Sequence, residues 1–198
     1  MDSRVFRVIS RLGRQSEKEG RGDTKVEHGH EMLAITADTG MFFSILIKAI
    51  KAKRVLELGT SAGFSTLWLA EAVGKNGSII TIEMDSLKIE RARKNFKQAG
   101  VDSFVEIKQG SALNVLRTLK GKFDFVLIDA DKENINKYFD LVLPRVKVGG
   151  IIAADNMLYP PHFRAIMKKY ARHVQRRHNV QSVTVPIGMG EEITIKLA

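Results

Sequence analysis

Three hard oxygen donors, Asp129, Asp155 and Asn156, stand directly after short apolar runs in the second half of the chain. Carboxylate and amide oxygens without His or Cys suit Mg²⁺, Mn²⁺ or Ca²⁺ rather than a structural zinc. Lys132 follows Asp129 closely and reads either as a proton acceptor beside that site or as a solvated cation at a helix start. A second signature lies earlier, in the run Glu57-Leu58-Gly59-Thr60-Ser61-Ala62-Gly63-Phe64-Ser65. Its glycines permit a tight turn and a close backbone approach to a ligand. A dinucleotide fingerprint requires Gly-x-Gly-x-x-Gly, and Ser61 stands where its second glycine belongs. Glu83 closes another apolar run, where a carboxylate can accept from both hydroxyls of a ribose. Glu57 would repel a diphosphate and attract a positive centre. These residues describe a ligand with adenosine and a cationic group, not NAD.

The elements that must position these groups alternate along the chain. Apolar runs rich in β-branched residues cover Arg54–Leu58, Ser78–Glu83, Phe104–Lys108, Phe123–Ile128 and Gly150–Ala154. Helical patterns separate them, at Phe64–Ala72, Leu87–Ala99, Ala112–Leu119 and Asn134–Leu143, and a fifth, Pro161–Arg177, follows the last run. Such alternation predicts βαβ units in a parallel sheet. Val180–Val185 and Glu192–Leu197, separated by a short turn, read as a terminal hairpin. The predicted fold is α/β, a Rossmann-like, doubly wound sheet of seven strands, mostly parallel with one antiparallel strand from the hairpin. Ligands bind such sheets at the carboxyl ends of the strands, so Gly59, Glu83, Asp129, Asp155 and Asn156 should open on one edge. Residues 1–38 read as a helical arm of short, Gly-broken helices with Val5, Ile9 and Leu12 at helical spacing, and 39–198 as the core of one domain.

At this point the sequence resembles the class I S-adenosylmethionine-dependent methyltransferases. More closely, it is similar to the caffeoyl-CoA and catechol O-methyltransferase family, including its small prokaryotic members. The resemblance rests on Ala37-Asp38-Thr39-Gly40, Glu57–Ser65, Glu83, Gly110-Ser111-Ala112, the run Ile128–Lys132, Asp155-Asn156 and the terminal Pro186-Ile187-Gly188 with Gly190. It implies S-adenosylmethionine and a divalent cation, Mg²⁺ foremost, as cofactors. It places Asp129, Asp155 and Asn156 at the metal ligands and Lys132 at the general base. Glu57, Gly59, Gly63 and Ser65 match positions around the cofactor's methionine end, and Glu83 the ribose carboxylate. Ser111 and Ala112 match the adenine contacts, and Ile35 a cofactor contact before the first core helix; Asp129 also borders the cofactor. Two departures fall on the acceptor side: the short loop Met157–Pro161, without the family's Trp, and Met189, where relatives often have an acid.

Composition narrows the function classes. With no cysteine, disulfides, thiolate metal sites and cysteine nucleophiles are excluded. No apolar run approaches the roughly 18 residues of a membrane span, and the first residues lack the apolar stretch of a signal peptide, so a soluble, cytoplasmic protein is expected. The net charge is +10, and between Asp155 and Glu191 the only charged side chains are basic. On Pro161–Arg177, Arg164, Lys168, Arg172 and Arg176 should share one face, with Phe163, Ile166, Met167, Tyr170 and Val174 on the other. The leading expectation is a metal-dependent O-methyltransferase acting on a small catechol-like hydroxyl, in a homodimer. The same site acting on 5-hydroxyuridine of tRNA, drawn in by the basic 164–177 segment, is the alternative. A non-catalytic nucleotide- or nucleic-acid-binding module is the third. His28 and His30 read as surface residues of the arm, and Trp68 as core.

Overall fold

The structure, a computed structural model, describes residues 2–24, 31–32 and 34–198. His28 and His30 lie outside the described residues. The strands are β1 (Arg54–Leu58), β2 (Ser78–Glu83), β3 (Val105–Gln109), β4 (Phe123–Ile128), β5 (Val146–Ala154), β6 (Val180–Val185) and β7 (Glu191–Lys196). They form one sheet in the order β3-β2-β1-β4-β5-β7-β6. All ladders from β3 across to β5 are parallel, and β7 lies antiparallel between β5 and β6. The chain reverses its direction of travel across the sheet between β1 and β4, so the switch point lies there.

Strand periodicity divides the core into two layers. Val55, Phe125, Leu127, Ile151 and Ala153 face one cluster, and Leu56, Leu58, Val126, Ile128, Ile152 and Ala154 face the other. Because successive residues of a strand point to opposite faces, an unbroken apolar strand needs helices on both sides. The first layer is covered by α1 (Ser3–Arg21), α2 (Ala37–Ala49), α3 (Phe64–Val73) and α4 (Ser86–Ala99). The second is covered by α5 (Ala112–Thr118), α6 (Ile135–Val142) and α7 (Arg164–Gln175). Trp68, 4% exposed, belongs to the first layer as expected. Among the described residues no helix is long and apolar enough to cross a membrane.

Three expectations need correction. The arm is not a set of short helices, because α1 runs unbroken through Gly13 and Gly20. Asp2 caps it by accepting from the Arg4 N–H, and Gly22 ends it in the left-handed conformation. A glycine inside a helix costs about 1 kcal/mol, which the burial of Val5, Val8, Ile9 and Leu12 outweighs. The fifth strand begins at Val146 instead of Gly150, since its ladder with β4 shifts register between Phe123 and Phe125. Exposed Lys147, Val148 and Gly149 hide that first half from a reading by apolar pattern. The basic helix opens as a 3-10 turn, Pro161–Phe163, and Arg176 caps its end instead of continuing its face. Met167, Tyr170 and Val174 are its buried side, with Phe163 and Ile166 partly buried against the same layer.

Candidate active site

The glycine turn after β1 is built by a close crossing. Gly59 donates its N–H to the Ile82 carbonyl at 3.0 Å. A Cβ at Gly59 would lie 1.9 Å from the Asp129 carbonyl oxygen, so the end of β4 leaves no room for a side chain there. Ser61 follows at φ 47°, and Gly63 at φ 86° caps α3 with its Cα pressed toward the Phe96 ring. Glu83 is tied down at both oxygens. Oε2 accepts from the Ser61 N–H at 2.9 Å, and Oε1 from the N–H groups of Met84 at 2.8 Å and Asp85 at 3.0 Å. The carboxylate is thus held by backbone at the wall of the cavity it lines.

Glu57 sits beneath this turn, fully buried. Its Oε2 accepts from the hydroxyls of Thr66 at 2.5 Å and Thr81 at 2.6 Å. Since the Thr81 proton goes to Glu57, Thr60 must be the donor in its 2.6 Å contact with Thr81. Burial pushes the Glu57 carboxyl up to about 7; the hydroxyls of Ser65, Thr66 and Thr81 oppose the shift, and the Asp129 charge adds to it.

Across the switch point, Lys132 Nζ donates to Asp129 Oδ1 at 3.0 Å, and the lysine is only 4% exposed. Asp155 follows β5, 3% exposed, and its Oδ1 accepts from the Asn156 N–H at 2.7 Å. Asn156 takes φ 70°, a left-handed value that asparagine tolerates better than most residues. Behind Asp155 stands Glu191, fully buried, whose Oε1 accepts from the Thr39 hydroxyl at 3.2 Å. Burial raises the pKa of both carboxyls, with the Asp129 charge raising Asp155 and the Asp155 charge raising Glu191. Of the two carboxyls, Glu191 is pushed up further.

One cavity of about 780 Å³ joins these parts. It brings together Gly59, Ser65, Glu83, Ser111 and Ala112 on one side with Asp129, Lys132 and Asn156 on the other. Ile35, Glu57, Gly63 and Asp155 do not line it: Ile35 is 4% exposed in the first core layer, and the other three support lining residues from behind. The two departures noted in the sequence meet each other. Met157 donates its N–H to the Gly190 carbonyl at 2.9 Å, and Leu158 and Tyr159 donate to the Met189 carbonyl at 2.9 and 3.1 Å. The loop then reaches the cavity with Pro160, His162 and Phe163, while Met189 does not line it.

Sequence reasoning missed Glu191, Tyr138 and Asn95. Glu191 opens β7 next to a glycine turn, and only its contact with Asp155 distinguishes it from a solvated acid. Tyr138 lines the cavity and donates its hydroxyl to Asp131, which also accepts from the N–H of Asn134 at 3.1 Å. The helical spacing of Asn134 and Tyr138 on α6 was the available signal.

Asp129, Asp155 and Asn156 are hard oxygen donors of the kind a divalent cation takes. Among the described residues no three His, Cys, Asp or Glu side chains group closely enough to hold a metal, so the set is two carboxylates and the Asn156 amide. Asp129 is paired with Lys132, and Asp155 accepts from the Asn156 N–H. Clustered hard oxygens short of positive charge are compatible with a divalent ion.

The buried Glu57 makes stability depend on pH. A carboxyl whose folded pKa is raised contributes fully below its unfolded value of 4.5 and loses that contribution as pH rises through about 7. Glu57→Gln can keep its carbonyl where Oε2 accepts and place its amide where Oε1 has no partner. Urea unfolding at roughly pH 5 and pH 8 should show wild type losing stability between them and Glu57→Gln losing less. Equal losses in both proteins would contradict the assignment.

Comparison with known proteins identifies the family. The O-methyltransferase family pattern matches residues 14–195. Catechol O-methyltransferase of Mycobacterium tuberculosis is 44% identical over 127 residues, 64% of this chain and 58% of that protein. Catechol O-methyltransferase of Niastella koreensis is 40% identical over 136 residues, 67% of this chain and 62% of that protein. The chain therefore spans about three-fifths of the length of these curated relatives. Among solved structures, the O-methyltransferase TomG from Streptomyces achromogenes, in complex with SAM, superposes with a TM-score of 0.82 at 27% identity, covering 96% of this chain and 90% of that one. Cofactor-bound Rv0187 from MTB gives 0.81 at 29% identity, covering 98% and 90%. This chain belongs to the O-methyltransferase family, which includes the catechol and caffeoyl-CoA enzymes.

Proposed function

We propose that this chain transfers the methyl group of S-adenosylmethionine to a hydroxyl of a small catechol-like acceptor, with a divalent cation at Asp129, Asp155 and Asn156. The observation that carries the reading is the single cavity shared by the Glu83 side and the Asp129–Lys132–Asn156 side. Its support from relatives is the catechol O-methyltransferases and the SAM complex of TomG.

In this reading Glu83, held at both oxygens by backbone N–H groups, accepts from the cofactor's ribose hydroxyls. The Gly59–Ser65 turn receives the methionine end, with the buried charge of Glu57 below it, and Ser111 and Ala112 border the adenine. The cofactor supplies a methyl group on a cationic sulfonium. A phenol pKa of about 10 leaves little nucleophile at neutral pH. The cation at the two aspartates and Asn156 would favour loss of the acceptor's proton. Lys132 is the base of this reading, and its contact with Asp129 fixes where Nζ stands. A hydroxyl oxygen that becomes negative as it meets a sulfonium loses net charge in the transition state, so burial of Lys132 and Asp155 favours the step by excluding water.

A second reading takes the hydroxyl from 5-hydroxyuridine in tRNA. One observation favours it: the 3-10 turn that opens the basic helix borders the cavity through His162 and Phe163, and Arg164, Lys168 and Arg172 follow on exposed positions. Those side chains are already partly engaged, Arg164 Nε with the Leu158 carbonyl at 3.1 Å and Arg172 Nε with the Lys168 carbonyl at 3.2 Å. We favour the small acceptor.

Three measurements test these readings. Glu83→Ala should weaken cofactor binding in calorimetry by about 1.5–3 kcal/mol, the cost of losing hydrogen bonds to a charged group. Unchanged affinity would remove Glu83 from the site. Chelation with verified metal removal should abolish methyl transfer to catechol while the thermal transition persists, and Asp155→Ala should reproduce the loss; full turnover without metal would overturn the cation's role. For tRNA, the double variant Lys168→Glu, Arg172→Glu separates the two acceptors. The small-acceptor reading expects catechol turnover to survive in that variant and wild type to show no saturable tRNA methylation. Methylation of tRNA whose binding falls with salt at a log–log slope of about −0.7 per phosphate, with catechol inert, would reverse our preference.

A further inference from the structure

The N-terminal helix reaches the glycine turn without touching the cavity. Helix α1 lies antiparallel along α4: Arg4 packs its guanidinium over Gly100 at the α4 end, and Arg11 sits further back over Asn95. Arg11 donates to Asn95 Oδ1 at 2.6 Å and to Gln98 Oε1 at 3.2 Å. Asn95 is 7% exposed and donates its Nδ2 to the Ala62 carbonyl at 2.8 Å. A guanidinium has no acceptor, so the Asn95 atom that faces Arg11 has to be oxygen. The amide nitrogen is thereby turned to Ala62, and the flip that would set oxygen against the Ala62 carbonyl is forbidden. Ala62 lies in the turn between Ser61, whose N–H binds Glu83, and Gly63, whose Cα presses on Phe96. Asn95 and Phe96, adjacent on α4, hold the turn from beneath, one by a hydrogen bond and one by contact.

From this geometry we infer that Arg11 and Asn95 form a relay that positions the cofactor turn, making α1 a determinant of cofactor affinity. They are positioning residues, since Asn95 and Arg11 do not line the cavity and act through Ala62, which does. The inference rests on the reading that the turn receives S-adenosylmethionine. An unanchored Ala62 carbonyl would let the Ser61 N–H leave Glu83, and the ribose carboxylate would lose one of its three backbone donors.

Calorimetry with S-adenosylhomocysteine, thermal melting and steady-state kinetics together test it. Asn95→Asp still accepts from Arg11 but sets a carboxylate oxygen against the Ala62 carbonyl; its affinity for S-adenosylhomocysteine should fall about tenfold or more. Arg11→Met should lose roughly threefold to fivefold, and Arg11→Lys, which can still donate to Oδ1, should recover most of that. The cofactor KM should rise while kcat at saturation and the acceptor KM stay within about twofold, a split that removal of a uniform binding interaction produces. Should Asn95→Asp fail to fold, the Arg11 pair decides alone. Wild-type affinity in Arg11→Met, or a lowered melting temperature with unchanged cofactor KM, would overturn the relay. A wild-type protein that does not bind S-adenosylhomocysteine would instead remove the cofactor reading on which the relay depends.

Discussion

The approach of Gly59 to the Asp129 carbonyl is the contact on which the rest of the site depends. A Cβ on Gly59 would stand 1.9 Å from that oxygen, so no residue with a side chain fits without moving the end of β1 or of β4. The crossing lies at the switch point, where connections leave in opposite directions and a crevice opens between strand ends. It brings the glycine turn against the segment that carries Asp129 and Lys132. The adenosine-binding and acid–lysine halves of the proposed site therefore adjoin through backbone that leaves no room for a side chain.

Around that crossing the protein buries charge in graded fashion. Glu57 is satisfied on one oxygen by two hydroxyls and remains poised near neutrality. Asp155 and Glu191 are both pushed up because burial makes two adjacent anions costly. Lys132 is anchored on Asp129, and Asp131 is committed to Tyr138 and Asn134. A positively charged ligand above Glu57 and a cation beside Asp155 would each relieve this excess of acid, which is why the proposed cofactors suit these positions. The overall charge is +10, and Arg164, Lys168, Lys169 and Arg172 of α7 are exposed.

The helices on the first face of the sheet do more than cover it. Through Arg11 and Asn95, α1 is connected to the turn, and Glu19 of the same helix accepts from the Met32 N–H at 2.7 Å, next to a cavity wall formed by Met32 and Ala34. On the acceptor side, the short loop after Asn156 is paired to the hairpin turn, with Gly188 packed against Thr36 and Thr39 at the start of α2. Thr39 in turn donates to Glu191. The proposed acid site is thus braced by the same hairpin that ends the sheet.

Residue order alone determined the alternation of strands and helices, because apolar periods of two and of 3.6 follow from backbone geometry and need no knowledge of partners. The strands β1, β2, β4 and β6 lie where their apolar runs place them, and the polar residues at their ends reach one edge because parallel strands share a direction. Glu83, Asp129 and Asn156 were legible for that reason, Ser111 and Lys132 through the family resemblance, and all five line one cavity. The continuity of α1 was not legible, since its glycines weaken the local pattern and only packing on α3 and α4 compensates. Nor was the first half of β5, whose exposed residues carry no apolar signal. Tertiary structure alone decided that Glu57 and Asp155 support the cavity from behind, that Glu191 is buried beside Asp155 and that Asn95 holds Ala62. Each of these depends on contacts between residues distant in the chain, and such contacts leave no period in the sequence.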